Sequence, residues 1–392
     1  MVCGSVPMIL VWSIVASRTE LKAIFFLPLI GFTFECLMFI VMHSLDAAPL
    51  IAVPFLEFAW GLFGAFGLVN SITPLFIVRA EPNKEKLTVR LAMLSLCINT
   101  GSIVGSGVAT GILGRTGGND SWVLVAAQSF LALSAIYTLF LVPQMPSNQI
   151  TQSEGAAAAK ASKQISIFVE VRLLLANVVR MLARKRPGRR SVYLRIGFLT
   201  FLLARSMNAM SSTLAVFVFR RPLSFSQQAY AAQSGLTKAM EFVGTLFGSW
   251  IMKRVFHWRD TSLIMVSLAS LCIRTLLLAL SVQKWTIWLS AGTSLFSLLF
   301  IPTHQAFLVE QVQPFEKPYV LAGFGMITSS CDLISSVFYD LIYRATEQWY
   351  PGFTFAIAAA LDAFAFCIIT WVHWDSRNQK PFSSEQIETD PL

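Results

Sequence analysis

Lys238 and Glu241 stand three residues apart inside an otherwise apolar run at 228–252. Side chains at that spacing share one face of a helix and can pair. Ionised groups at membrane depth are costly. They mark either a structural ion pair or a solvated cavity that holds a solute or relays a proton. Arg205 sits in the preceding apolar run, on a face shared with Asn208. Its planar guanidinium can grip a carboxylate or phosphate through two bonds, or serve as the partner of a nearby acid. His304 and Gln305 follow Pro302. Imidazole titrates near neutral pH, although a single histidine in an apolar run is as readily a hydrogen-bonded core residue. Asn99 adds an amide in another apolar run. The candidate substrate-binding or coupling set is therefore Lys238, Glu241, Arg205, Gln305, His304 and Asn99. Glu35, Glu57, Arg274, Asp332 and Asp362 lie at similar depth, with pairing as the default. Asp340 and Arg344, one turn apart, read as a structural pair.

Other chemistries find no support. The glycines from Gly111 to Gly118 lack the Lys-Ser/Thr ending of a phosphate-binding loop. No Ser-His-Asp order or pair of carboxylates occupies a plausible aqueous site. Cys3, Cys36, Cys97, Cys272, Cys331 and Cys367 are scattered among apolar runs, without a C-x-x-C or a histidine at ligand spacing. The expectation is a protein that is not an enzyme, with no metal and no cofactor.

The elements that must position the candidates are membrane helices. Of 392 residues, 55% are hydrophobic and 13% charged. Such a chain lacks the polar coat of a soluble fold. Apolar runs fall at 2–17, 22–42, 48–78, 89–114, 121–143, 192–219, 228–252, 260–282, 284–309, 318–343 and 351–373. Runs of about 20 residues cross a hydrocarbon core about 30 Å thick. They must be helices, because lipid offers backbone groups no partners. Pro54, Pro74 and Pro302 are kink candidates. Gly61, Gly64 and Gly67, and Gly101, Gly105, Gly107 and Gly111, offer small-residue faces for packing or for a sliding seam. Met1 to Ser17 lacks a basic leader and reads as a shortened first span rather than a signal peptide.

Charge sets the orientation. Basic residues gather at Arg18 and Lys22, Arg79 to Arg90, Lys160 to Arg195, and Lys253 to Arg259, whereas the alternate loops are poor in them. Arg220 and Arg221 are the exception. The positive-inside pattern places the central linker and the C-terminal tail in the cytosol. The basic run Arg184 to Arg190 is then a topology signal at the inner leaflet, not a nucleic-acid site. The organisation expected is an N-terminal bundle at 1–145, a cytosolic basic linker at 146–191, a C-terminal bundle at 192–374, and a disordered tail at 375–392. The linker becomes amphipathic from Ile165 to Leu182, suiting a helix on the membrane surface. Asn119-Asp120-Ser121 is a glycosylation sequon almost at the membrane and is expected to be little used.

Ile301-Pro302 through Leu308, with Val312 and Glu316, resembles the proton-coupled folate transporter family, solute carrier family forty-six, of the major facilitator superfamily. Gly61 to Gly67 is similar to that family's glycine-rich fourth helix, Arg90 to Leu94 to the start of its fifth, and Ser329 to Tyr343 to its eleventh. The resemblance implies an all-α membrane protein with the two-bundle fold, here with about eleven spans and the first helix absent. Departures accompany it. Arg18 and Lys22 survive from the signature after the second helix, but its Asp and Gly do not. The family's fifth-helix Glu stands as Ser95, its eighth-helix His as Lys238, and its tenth-helix Arg as Gln305. Folate recognition and proton coupling therefore do not transfer at these positions. The function expected is secondary-active or facilitative transport of a small organic solute, with an anion as the candidate class, by alternating access. Protons are candidate partners, and the site is the plasma or endolysosomal membrane. The alternative is a truncated pseudo-transporter acting as a receptor or membrane partner.

Overall fold

The computed structural model describes residues 21–44, 84–116, 121–141, 176–184, 189–206, 210–313 and 316–377, with 63, 69, 73, 74, 77 and 186 as isolated positions. The run at 2–17, most of that at 48–78, the linker before 176, Asn208, the Asn119 sequon and everything after Arg377 lie outside the described residues. So do Pro54, Glu57, Gly61, Gly64, Gly67 and the side chain of Asp332. Among the described residues there are helices and no strands. They are α1 (Leu21–Ser44), α2 (Lys84–Thr116), α3 (Ser121–Leu141), α4 (Arg190–Arg205), α5 (Ser211–Phe219) and α6 (Gln227–Phe247). After these come α7 (Asp260–Ala279), α8 (Lys284–Thr293), α9 (Phe300–Glu310), α10 (Lys317–Thr346) and α11 (Phe353–Arg377).

Among the described residues four helices are long and apolar enough to cross a membrane singly, at Val89–Thr116, Ser121–Phe140, Asp260–Ala279 and Phe353–Arg377. Two of the expected continuous runs are broken. The run at 192–219 divides into α4 and α5 at 206–210. There the Ser206 hydroxyl donates to the Leu203 carbonyl at 2.6 Å. Such back-bonding competes with the helical ladder and favours an end. The run at 284–309 divides into α8 and a helix beginning with the 3-10 turn Ser297–Leu299, and the two halves meet at 44°. Here too hydroxyls take the carbonyls: Ser290 on Ile287 at 2.7 Å, Ser294 on Ala291 at 2.6 Å and Ser297 on Ser294 at 2.7 Å. The bend thus lies upstream of Pro302. That proline occupies the first turn of α9, where a missing N–H leaves no bond unmade. Following α6, the π-helical stretch Gly248–Val255 continues the chain toward Asp260. At the other end of α6, Ser226 caps the helix by accepting from the Ala229 N–H at 3.1 Å.

Among the described residues two buried clusters lie mainly in the C-terminal half, the first reaching Leu91 of α2. One centres on Phe201, Phe300, Phe324, Leu268 and Leu308. The other joins Met210, Phe217, Tyr339 and Phe355. Large apolar side chains on α3, such as Leu133, Tyr137 and Phe140, point outward. That is the pattern of a lipid-facing helix, where dispersion and hydrogen bonds rather than water exclusion hold neighbours together.

Among the described residues the glycine face of α2 forms no tight seam: a Cβ built at Gly101, Gly105, Gly107 or Gly111 meets no described atom within 4 Å. Close approach occurs elsewhere. A Cβ on Gly244 of α6 would sit 1.7 Å from the Leu295 carbonyl oxygen, and one on Gly248 would sit 2.5 Å from the Leu299 side chain. The absence of side chains at these two positions lets α6 lie directly on the broken helix.

Polar bonds tie the ends of the C-terminal bundle. Arg186 reaches both Glu316 oxygens at 3.1 Å, with both side chains nearly buried. Arg189 and the Tyr193 hydroxyl both donate to Asp375 at 2.6 Å. These contacts carry α11 through Asp375 to Arg377, past the expected start of the tail. At the opposite end Arg220, the exception to the charge pattern, pairs with Glu347. Asp340 accepts from the Thr213 hydroxyl at 2.5 Å rather than pairing with Arg344, which is exposed. The orientation carries a direct test. A Ser191→Cys chain should resist an impermeant thiol reagent in intact cells and react once the plasma membrane alone is permeabilised; labelling from outside, or only after internal membranes are opened, would invert the two-bundle reading.

Candidate functional site

Helix α2 precedes the central polar linker and α6 follows it. The Asn99 side-chain amide on α2 donates to the Lys238 carbonyl on α6 at 2.7 Å. Asn99 is nearly fully buried, so its amide needs that partner. This bond joins the two halves of the chain at mid-helix. One turn further, the Lys238 ammonium meets Glu241 at 2.8 Å. The Glu241 carboxylate is buried, and its other oxygen accepts from Arg274 on α7 at 3.4 Å and from the Ser297 hydroxyl at 3.1 Å. One carboxylate therefore links α6, α7 and the broken α8–α9 helix. Burying it is tolerable only because three donors surround it.

The cations are less deeply buried than the acid. Lys238 keeps 37% of its side-chain surface exposed and Arg274 keeps 20%, against 5% for Glu241. Two positive groups share one negative one. In ionised form the group carries one net positive charge at the seam between the halves.

Asn99, Lys238 and Glu241, singled out in the sequence, are thus brought together. Arg274 was expected only to find some partner, and its partner is Glu241. Ser297 was not foreseen, although the run of Ser and Thr between Ser290 and Ser297 in an apolar stretch signals it. The remaining candidates are placed apart. His304 is fully buried, with Nε2 3.3 Å from the Thr200 hydroxyl and Nδ1 3.1 Å from the Phe300 carbonyl. Its ring lies 4.2 Å from that of Phe300, beside the stacked Phe201 and Phe324. That is the environment of a core residue. Gln305 is buried on α9, and no hydrogen bond connects it to Glu241 or Lys238. Arg205, half-buried, ends α4 at the helix break beside Ser206.

No family model matches the chain. The lysosomal proton-coupled steroid conjugate and bile acid symporter SLC46A3 of Gallus gallus is 22% identical over 388 residues, covering 96% of this chain and 78% of the relative. The Homo sapiens protein of the same name is 21% identical, covering 80% of this chain and 65% of its own length. Solute carrier family 46 member 2 of Canis lupus familiaris is 23% identical, covering 72% and 60%. Among solved structures, the human organic anion transporter MFSD10 superposes with a TM-score of 0.66 at 15% identity, covering 93% of this chain and 82% of that one. The proton:xylose symporter XylE gives 0.66 at 13% identity, covering 93% and 83%. These structural likenesses establish the fold. A helical chain whose two halves meet along α2 and α6, with these relatives, is a divergent relative of solute carrier family 46 built on the major facilitator fold.

Proposed function

We propose that the chain carries a small organic anion across a membrane by alternating access of its two halves, coupled to protons. The observation that carries this reading is the charge imbalance at the seam. Lys238 and Arg274 share one carboxylate, and the Lys238 ammonium remains more than one-third exposed. An anionic solute compensates the surplus charge. The Asn99 bond beside it ties the solute site to the contact between the halves. Sites at mid-membrane between repeats, opened alternately by rocking, are the general solution for such folds. The relatives named for steroid conjugates and bile acids support an amphipathic anion as solute, and their proton coupling supports the driving ion. An endolysosomal membrane is the proposed location on the same ground.

The test is accumulation. Purified chain is reconstituted into liposomes and given labelled bile acid or labelled steroid conjugate under an inward proton gradient. Uptake above equilibrium, abolished by a protonophore, is the expected result. Correctly folded chain that accumulates neither probe would instead support a membrane partner without transport.

A further inference from the structure

Asp362 on α11 is completely buried, and neither the solute site nor the core chemistry described above uses it. Among the described residues its Oδ1 has no hydrogen-bond partner, and Oδ2 has only the Thr275 hydroxyl, at the long distance of 3.5 Å. Among the described residues no cation forms an ion pair with it. A bare carboxylate so placed is strongly disfavoured. A protonated carboxyl carries no charge there.

The surroundings define what a proton at this site would control. From α7 it is faced by Cys272, Arg274 and Thr275, and from α10 by Tyr339. The third helix packed on α11 is α4. It ends in Arg205, next to Ser206, whose hydroxyl is 3.2 Å from the Tyr339 hydroxyl. Cys367 is the nearby titratable group on α11 itself. Arg274 is the cation adjacent to Thr275 in the chain, and it is already engaged, through a long 3.4 Å contact, with Glu241. Glu241 has the shorter Lys238 and Ser297 contacts to fall back on.

We propose that Asp362 is a proton-binding carboxylate that competes with Glu241 for Arg274 and thereby couples protons to the anion site. The proposal rests on the anion reading above. With the proton on Asp362, Arg274 stays with Glu241, and the group at the seam keeps its surplus positive charge for the solute. When the proton leaves for water, the new carboxylate draws Arg274 toward α11. The seam then holds one lysine and one glutamate, balanced without a solute, and the anion is released. Proton and anion therefore bind cooperatively, and the coupling is reciprocal. In this arrangement the proton and the solute occupy separate sites that communicate through one guanidinium.

Infrared difference spectra of the purified full chain, recorded as pH is varied, test the proton site without reference to transport. A protonated-carboxyl C=O band that disappears as pH rises is expected in the wild type and absent in the isosteric Asp362→Asn. The same band in Asp362→Asn would overturn the assignment. Glu241→Gln frees Arg274, so the band's midpoint should move to lower pH by about one unit or more. Thr275→Val removes the one donor to the Asp362 carboxylate found among the described residues and should move it upward, which keeps the proton-site test open if Asp362→Asn fails to fold. An unmoved midpoint in Glu241→Gln would overturn the competition for Arg274, and one in Thr275→Val would overturn the assignment of the band to Asp362. Binding of labelled bile acid then tests the coupling. It should weaken as pH rises in the wild type and lose that dependence in Asp362→Asn. A titrating band without any pH-dependent anion binding would contradict the anion reading while leaving the proton site intact.

Discussion

Lys238→Ala should leave the chain folded and at near-normal abundance while reducing uptake of the labelled anion at least ~30-fold, equivalent to about 2 kcal/mol. The two halves of this expectation have different causes. Glu241 loses one donor but keeps Arg274 and Ser297, so its buried charge is still compensated and folding survives. The lost ammonium is the more exposed of the two cations, and its surplus charge is what the solute is proposed to meet. Lys238→Arg should recover little, because a forked guanidinium does not reproduce a compact ammonium at this position. Glu241→Ala should do the reverse and lower abundance first. It leaves Lys238 and Arg274 together without their shared acid, a loss of about 3–5 kcal/mol for a broken buried pair. Quantitative immunoblotting beside uptake separates the two. If Lys238→Met with Glu241→Met folds and still transports, Lys238 and Glu241 serve packing, and the solute site lies elsewhere.

Gly244→Ala is expected to be among the most damaging single changes outside the charged group. Its Cβ would fall 1.7 Å from the Leu295 carbonyl oxygen and 2.3 Å from its carbon. The obstacle is backbone, so no side-chain rotation relieves it; α6 must move off the broken helix. Overpacking of this kind costs about 3 kcal/mol or more. The displacement also separates Glu241, one turn earlier, from Ser297. Thermal unfolding of the purified chain should show a large drop in midpoint. By contrast Gly105→Ala on α2, where an added Cβ meets no described atom within 4 Å, should be nearly silent. Equal effects at the two positions would contradict the packing described for α6.

Helix existence was legible in the sequence because lipid leaves the backbone one alternative and apolar runs mark it. The Lys238–Glu241 pair was legible for a similar reason: two charges one turn apart in an apolar run have little else to do. The breaks inside 192–219 and 284–309 were harder to read. They depend on Ser206, Ser294 and Ser297 turning their hydroxyls back onto the chain, and hydroxyls in apolar helices often do this without ending them. Pro302 drew attention to the correct helix but not to the position of its bend. His304 illustrates the limit of residue type as a guide. An imidazole in an apolar run has the same sequence signature whether it relays protons or packs between Phe201 and Phe300. The glycine faces were similarly ambiguous. Gly101 to Gly111 meet no described neighbour closely, whereas Gly244 and Gly248 lie directly against the broken helix. Which glycines approach a backbone is decided by the partner helix, and a single sequence does not record the partner.

The central claim is that the halves separate along α2 and α6 in each cycle, and a reversible lock on that seam tests it most directly. Ser106 on α2 has its Cβ 3.8 Å from where a Cβ on Gly235 of α6 would lie. That spacing matches the Cβ separation of a disulfide, about 3.8 Å. In a chain whose native cysteines are replaced by alanine, Ser106→Cys with Gly235→Cys should cross-link on mild oxidation. Proton-driven uptake of labelled bile acid should stop when the bond forms and return when a reductant breaks it, while either single cysteine is unaffected by both treatments. Undiminished uptake by fully cross-linked protein would contradict alternating access across this seam.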